Sequence, residues 1–172
     1  MDQLWAPWRM AYVSQDHDQR DSECIFCHAA RHPERAGLQV VRVNEYSIVL
    51  MNKYPYSNGH MMVAPKRHVK EVFALNREER LELMDMLAVG CQALEQTLAA
   101  QGINAGFNLG KAAGAGVPGH IHLHIVPRWA NDVNFMTALA DLRVIPEHLE
   151  TTYQKLKDAF TRLLKKRNEG LF

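Results

Sequence analysis

From Gly119 to Trp129 the chain reads Gly-His-Ile-His-Leu-His-Ile-Val-Pro-Arg-Trp. Three histidines alternate with three aliphatic residues, and a period of two belongs to a β-strand whose two faces meet different surroundings. Ile121, Leu123 and Ile125 are expected to face a core, with His120, His122 and His124 in a row on the opposite face. Neighbours in such a row stand roughly 7 Å apart. The plain alternative is a half-buried strand whose polar face happens to be histidine. Strict alternation argues against it, even in a chain with nine histidines among 172 residues.

That length suits one domain with a substantial core. Hydrophobic residues make up 47% and charged residues 23%, which is ordinary for a globular protein, and a net charge of +1 gives no general attraction to nucleic acid or membranes. No apolar run is long enough for a membrane span, and Met1-Asp2-Gln3-Leu4-Trp5 does not begin a secretory signal. The three cysteines do not make a disulfide framework, so a reducing, cytoplasmic setting is expected.

In chain order, residues 1–23 form an N-terminal extension whose Trp5 and Trp8 carry too much apolar surface for a free tail. Cys24-Ile25-Phe26-Cys27 is a C-x-x-C knuckle, able to offer two thiolates to one zinc ion. A redox dithiol and a pair of buried thiols are its alternatives. Strands are expected over 38–43, 46–51 and 60–65, making a meander. Asn76 and Glu79 form a capping-box pattern, opening a helix to about Ala100 with a stripe of Met84, Leu87, Cys91, Leu94 and Leu98, and with Gly102 at its end. A fourth strand covers 103–108, and the glycine-rich loop 109–119 leads into the histidine strand. Such a loop lets backbone N–H groups approach an anion. Pro146 is expected at the first position of a C-terminal helix running to about Lys166, with Leu149, Tyr153, Leu156, Phe160, Leu163 and Leu164 on its apolar face. The basic end of that helix is read as a solvated terminus, not a nucleic-acid patch.

Two chemistries use a histidine row. Alternate imidazoles can share a catalytic metal. Alternatively, the central imidazole attacks phosphorus and neighbouring donors stabilise the charge that develops. The second also accounts for the glycine-rich loop, for Asn108 as a phosphate contact, and for Asn52 and Lys53 as contacts to a sugar or phosphate.

The His-φ-His-φ-His-φ-φ run at His120–Val126 resembles the signature of the histidine triad (HIT) superfamily of nucleotide hydrolases and transferases. The resemblance extends from about Cys24 to Trp129. Leu-Trp-Ala-Pro-Trp-Arg near the start and Pro-Arg-Trp…Asn-Phe after the triad resemble the bacterial branch near the diadenosine tetraphosphate phosphorylases and the fragile histidine triad hydrolase. The resemblance implies an α+β fold: a five-stranded antiparallel meander sheet, one long helix packed across it and a C-terminal helix. The whole of 1–172 would be a single HIT domain, with residues 130–172 as a C-terminal extension. It implies His122 as nucleophile and His124 on the phosphate. His120 would orient the site or bind metal, with His60 beside the triad. Asn52 and Lys53 would sit near the ribose or phosphate, with Asn108, Gly114, Ala115, Gly116 and Val117 around the phosphate. It further implies a structural zinc held by Cys24, Cys27, His68 and His120, and a homodimer in which Trp5, Trp8, Trp129 and Phe135 suit the seam. Many members place a glutamine before the triad where this chain has Gly116, which moves phosphate stabilisation to backbone N–H groups of Ala115 to Val117. The expected function is hydrolysis or phosphorolysis of dinucleoside polyphosphates through a nucleotidyl-histidine. A nucleoside phosphoramidase, a non-catalytic purine nucleotide sensor and a histidine–metal hydrolase are the alternatives.

Overall fold

The computed structural model describes residues 24–35, 37–130, 132 and 145–169. The expectations for Trp5, Trp8 and Phe135 lie outside the described residues. The elements are α1 (Ile25–Arg31), β1 (Val40–Val43), β2 (Ser47–Met51), β3 (Met61–Pro65), α2 (Arg77–Leu98), β4 (Gly102–Phe107), β5 (Leu123–Arg128) and α3 (Leu149–Asn168). No helix among the described residues is long and apolar enough to cross a membrane.

The five strands form one antiparallel sheet in the order β1-β2-β3-β5-β4. The α+β architecture, the five antiparallel strands, the long helix and the C-terminal helix are as expected. The meander holds for β1–β3, and then α2 carries the chain to the far edge. β5 returns between β3 and β4, which therefore run parallel to each other with the histidine strand inserted.

Both faces are covered over β2 and β3, which are buried along their whole length, while the edge strand β4 is largely exposed. On one face Val49, Met51, Met61, Val63, Leu123 and Ile125 pack against Leu83, Met86 and Val89 of α2 and Leu156, Phe160 and Leu163 of α3. On the other, Ile48, Leu50, Met62 and Ala64 pack against Phe26 and Ala29 of α1. Met62 lies opposite His124, so the third histidine belongs to this second face.

Asn76 caps α2 as expected, accepting the Glu79 N–H while Glu79 accepts the Asn76 N–H. The buried stripe of α2 is rotated from the expected one. Leu83, Met86, Val89, Gly90, Ala93 and Leu94 are buried, whereas Met84 is 59% exposed. The helix meets the sheet through small residues that carry little weight in an apolar pattern. A Cβ on Gly90 would lie 2.9 Å from Ile125 Cδ1. The helix ends at Ala99 in the left-handed region, not at Gly102, and Trp129 Nε1–H donates to the exposed carbonyl of Leu98 at 3.1 Å. The C-terminal helix starts at Leu149, three residues after Pro146, with His148 as its N-cap.

Candidate active site and metal centre

Ladder pairing of β5 begins only at Leu123, so His120 and His122 lie on the extended approach to the strand. That approach is held by Ile121 N–H donating to the Val69 carbonyl at 2.8 Å and His120 N–H to the Val117 carbonyl at 3.3 Å. All three histidines are buried. The cover over the first two is α1, which the C-x-x-C reading did not foresee. The Phe26 ring, between the two cysteines, lies 5.1 Å from the His120 ring and 4.8 Å from the His122 ring.

Hydrogen bonds select the ring tautomers. The His120 carbonyl can only accept, so the 2.8 Å contact from His122 Nδ1 places a proton on Nδ1 and leaves a lone pair on Nε2. His60 Nδ1 accepts the Tyr56 N–H at 3.1 Å, so a neutral His60 carries its proton on Nε2. That proton points at His124 Nδ1, 3.0 Å away. His124 in turn presents an Nε2–H, and Asn108 Nδ2, also a donor, lies 3.4 Å from that nitrogen, so the two donors converge and do not bond to each other. The site thus pairs an unprotonated ring nitrogen on His122 with an N–H donor on the adjacent histidine, their rings 4.8 Å apart. Burial pushes the pKa of His122 below the ordinary histidine value and that of His124 down to about 4, so both rings are neutral at pH 7. The Tyr56 ring lies against His60 at 4.6 Å and His124 at 5.8 Å, and neither its role nor that of Phe26 was visible in sequence.

Cys24, Cys27, His68 and His120 come together with their ligand atoms within 4.8 Å of one another. His120 Nδ1 is 3.2 Å from Cys24 Sγ and 3.6 Å from Cys27 Sγ, and His68 Nδ1 is 3.3 Å from Cys27 Sγ. Tetrahedral zinc would place S and N ligands about 3.5 Å apart. The donor set fits in chemistry as well as in size. His120 Nε2–H donates to the Pro65 carbonyl at 2.8 Å, which turns the Nδ1 lone pair toward the thiols. His120 therefore faces the metal cluster with its ring, while its carbonyl holds the ring of His122.

The remaining candidates divide. Asn52 sits beside His60, with its Nδ2 3.3 Å from His60 Nδ1 and its Oδ1 accepting the Tyr54 N–H at 2.9 Å. Asn108 reaches His124 as described. The Lys53 ammonium lies 5.9 Å from the Tyr54 ring, and no hydrogen bond among the described residues joins it to a triad histidine. Gly114 adopts positive φ, and the Ala115 N–H is taken by the Gly110 carbonyl at 3.3 Å. That removes Ala115 from the backbone donors expected before the triad and leaves the N–H groups of Gly116 and Val117 for the role. An open hollow of about 1190 Å³ adjoins His124, walled in part by Tyr56, Asn104, Gly106, Asn108 and Trp129. It is large enough for a nucleotide.

Known proteins resemble this chain in sequence and in fold. A family profile described as the HIT domain matches residues 35–131. An AP-4-A phosphorylase of Mycobacterium tuberculosis is 33% identical over 168 residues, covering 94% of this chain and 86% of that protein. A bis(5'-nucleosyl)-tetraphosphatase (asymmetrical) of Schizosaccharomyces pombe is 34% identical over 92 residues, 54% of this chain and 50% of that one. Among solved structures, a zinc-bound histidine triad family protein from Mycobacterium smegmatis superposes with a TM-score of 0.67 at 27% identity, covering 83% of this chain and 96% of the other. A matching profile over more than half the chain, a relative similar nearly end to end, and a buried histidine triad leading into an inserted antiparallel strand lead to one conclusion: this chain belongs to the HIT domain family.

Proposed function

We propose that the protein is a nucleotidyltransferase or hydrolase of dinucleoside polyphosphates that works through a covalent nucleotide on His122. The observation that carries this is the tautomer pattern: a lone pair on His122 Nε2 beside an N–H on His124 Nε2. The His122 Nε2 lone pair attacks the α-phosphorus, forming a P–N bond as the P–O bond to the leaving nucleotide breaks, and that nucleotide departs as an anion. The His124 N–H, the Asn108 amide and the N–H groups of Gly116 and Val117 receive the phosphoryl oxygens. Asn52 and Lys53 serve the sugar or its phosphate. In the second step water or orthophosphate attacks the same phosphorus and returns the electron pair to His122 Nε2. The likeness to an AP-4-A phosphorylase over nearly the whole chain supports orthophosphate.

Zinc is the metal we assign to Cys24, Cys27, His68 and His120, in a structural role, and the zinc-bound relative supports it. When bound, zinc cross-links three separate parts of the chain. The chain's own residues orient its ligands, Pro65 by holding His120 Nε2–H. The same reading takes the protein as a single cytoplasmic HIT domain with terminal extensions, working as a homodimer.

Protein incubated with a diadenosine polyphosphate and quenched in alkaline denaturant, where the P–N bond survives, should carry an adenylyl group on the His122-containing peptide by mass spectrometry, and His122→Ala should carry none. ADP that appears only with added orthophosphate identifies a phosphorylase, and AMP formed with water identifies a hydrolase. Full turnover by His122→Ala would overturn the nucleophile assignment.

A further inference from the structure

Segment 65–69 touches the triad approach at three points. The Pro65 carbonyl accepts His120 Nε2–H, the Val69 carbonyl accepts the Ile121 N–H at 2.8 Å, and His68 stands in the metal cluster. Arg67 ties the segment to the rest of the molecule. Its Nε and Nη2 reach both carboxylate oxygens of Glu79 at 2.8 and 2.7 Å, and Nη2 also reaches the Ala74 carbonyl at 2.8 Å. The Glu79 side chain is 4% exposed, and the Arg67 hydrogen bonds hold its carboxyl below the ordinary carboxylate range.

Glu79 also completes the capping box of α2. A glutamine performs that task without a charge, so the cap does not explain the pairing of a buried carboxylate with the half-exposed Arg67. A two-pronged guanidinium–carboxylate contact does something the cap does not: it fixes orientation as well as distance. Here it fixes the residue next to a metal ligand, in a segment whose carbonyls hold the ring of His120 and the backbone of Ile121.

We propose that Arg67 and Glu79 are positioning residues for the site. Their ion pair locks segment 65–69 against the start of α2, and so sets His68 in the metal cluster and His120 ahead of the nucleophile. The metal half rests on the zinc assignment above; the placement of His120 and Ile121 does not.

The test compares Glu79→Gln, which keeps the cap acceptor and the volume, with Leu163→Ala, which weakens the packing of α3 in the larger core and leaves the Arg67–Glu79 pair in place. Two quantities are read: zinc release to a chromophoric chelator, and native-state hydrogen exchange of the Ile121 amide relative to the amides of α3. In Glu79→Gln, zinc release should quicken about tenfold, and Ile121 should lose protection relative to α3. Arg67→Lys, which keeps the charge and loses the fork, should fall between wild type and Glu79→Gln, and it decides the question if Glu79→Gln does not fold. If both quantities change no more in these variants than in Leu163→Ala, the pair is a general stabiliser and the proposal fails. Wild-type protein that takes up no zinc overturns the metal assignment alone. Ile121 exchange then decides: selective loss of its protection supports the positioning role, and unchanged protection ends it.

Discussion

Burial acts on His120, His122 and His124 in one direction, yet their partners give each a different task. A carbonyl partner puts the proton on His122 Nδ1, a histidine partner puts it on His124 Nε2, and a second carbonyl frees His120 Nδ1 for the thiols. The cost of keeping these rings neutral appears at acid pH. Burial lowers the pKa of His124 and His120 to about 4 in the folded protein, with like-charged histidine neighbours adding to the effect, against about 6.5 in an unfolded chain. Between those values the unfolded chain binds more protons, so the histidine contribution to folding stability falls as pH drops from about 6.5 toward 4 and then levels off. Urea unfolding of metal-free protein at pH 7 and pH 5 checks this, and equal midpoints would contradict it. The role of His60 belongs to this scale too. Sequence could place a histidine before β3, but only the Tyr56 N–H on its Nδ1 shows which tautomer it passes to His124.

Among the elements, the turn before β3 is the most tightly constrained. Gly59 has φ +79°, and a Cβ there would lie 2.5 Å from Leu98 Cδ1 and 3.0 Å from Leu94 Cδ2. Gly59→Ala meets both a backbone penalty of about 1–2 kcal/mol and the end of α2. It should lower thermal stability and, by shifting Tyr56 and His60, lower kcat more than it raises KM. Unchanged kinetics would show that the turn does not position Tyr56 and His60 for His124. Helix α2 illustrates what an apolar pattern can and cannot locate. Its start was legible, because the Asn76–Glu79 box is local chemistry. Its buried face was not, because Gly90 packs directly against Ile125 of the sheet and Ala93 is buried, while the larger Met84 points outward. Helix α1 escaped notice because its seven residues show too little periodicity to register, although Phe26 at its first turn is buried against two triad histidines.

At the scale of the molecule the two sheet faces divide the work. The face under α2 and α3 holds the larger apolar cluster, and the face under α1 holds the smaller cluster, the histidines and the thiols. A metal at Cys24, Cys27, His68 and His120 joins residues 41 to 96 positions apart in sequence. Stripping it with a chelator should lower the melting temperature by at least about 5 °C. The far-ultraviolet circular dichroism should stay near that of the loaded protein, because the larger core is independent of it. A chelator-treated protein with an unchanged melting temperature would show that the cluster is not a structural metal site. If folded, stripped protein lost all activity at once, a catalytic metal would be indicated instead.

Alternation in the chain determined the histidine strand, and local chemistry determined the capping box and the terminal helix. The triad signature carried with it the resemblance that named Cys24, Cys27, His68 and His120 as candidate metal ligands, and those side chains do meet. These are short-range patterns, and one chain suffices to express them. Tertiary structure alone decided which nitrogen of each ring carries a proton, because that depends on partners as distant as Pro65 and His120, or His60 and His124. It also decided that the histidine face is buried, that β5 slips between β3 and β4, and that Arg67, itself half exposed, reaches the buried carboxylate of Glu79. His120 shows the division most plainly: sequence marks it as the first of three alternating histidines, and only packing sets its ring among the thiols and its carbonyl on the ring of His122.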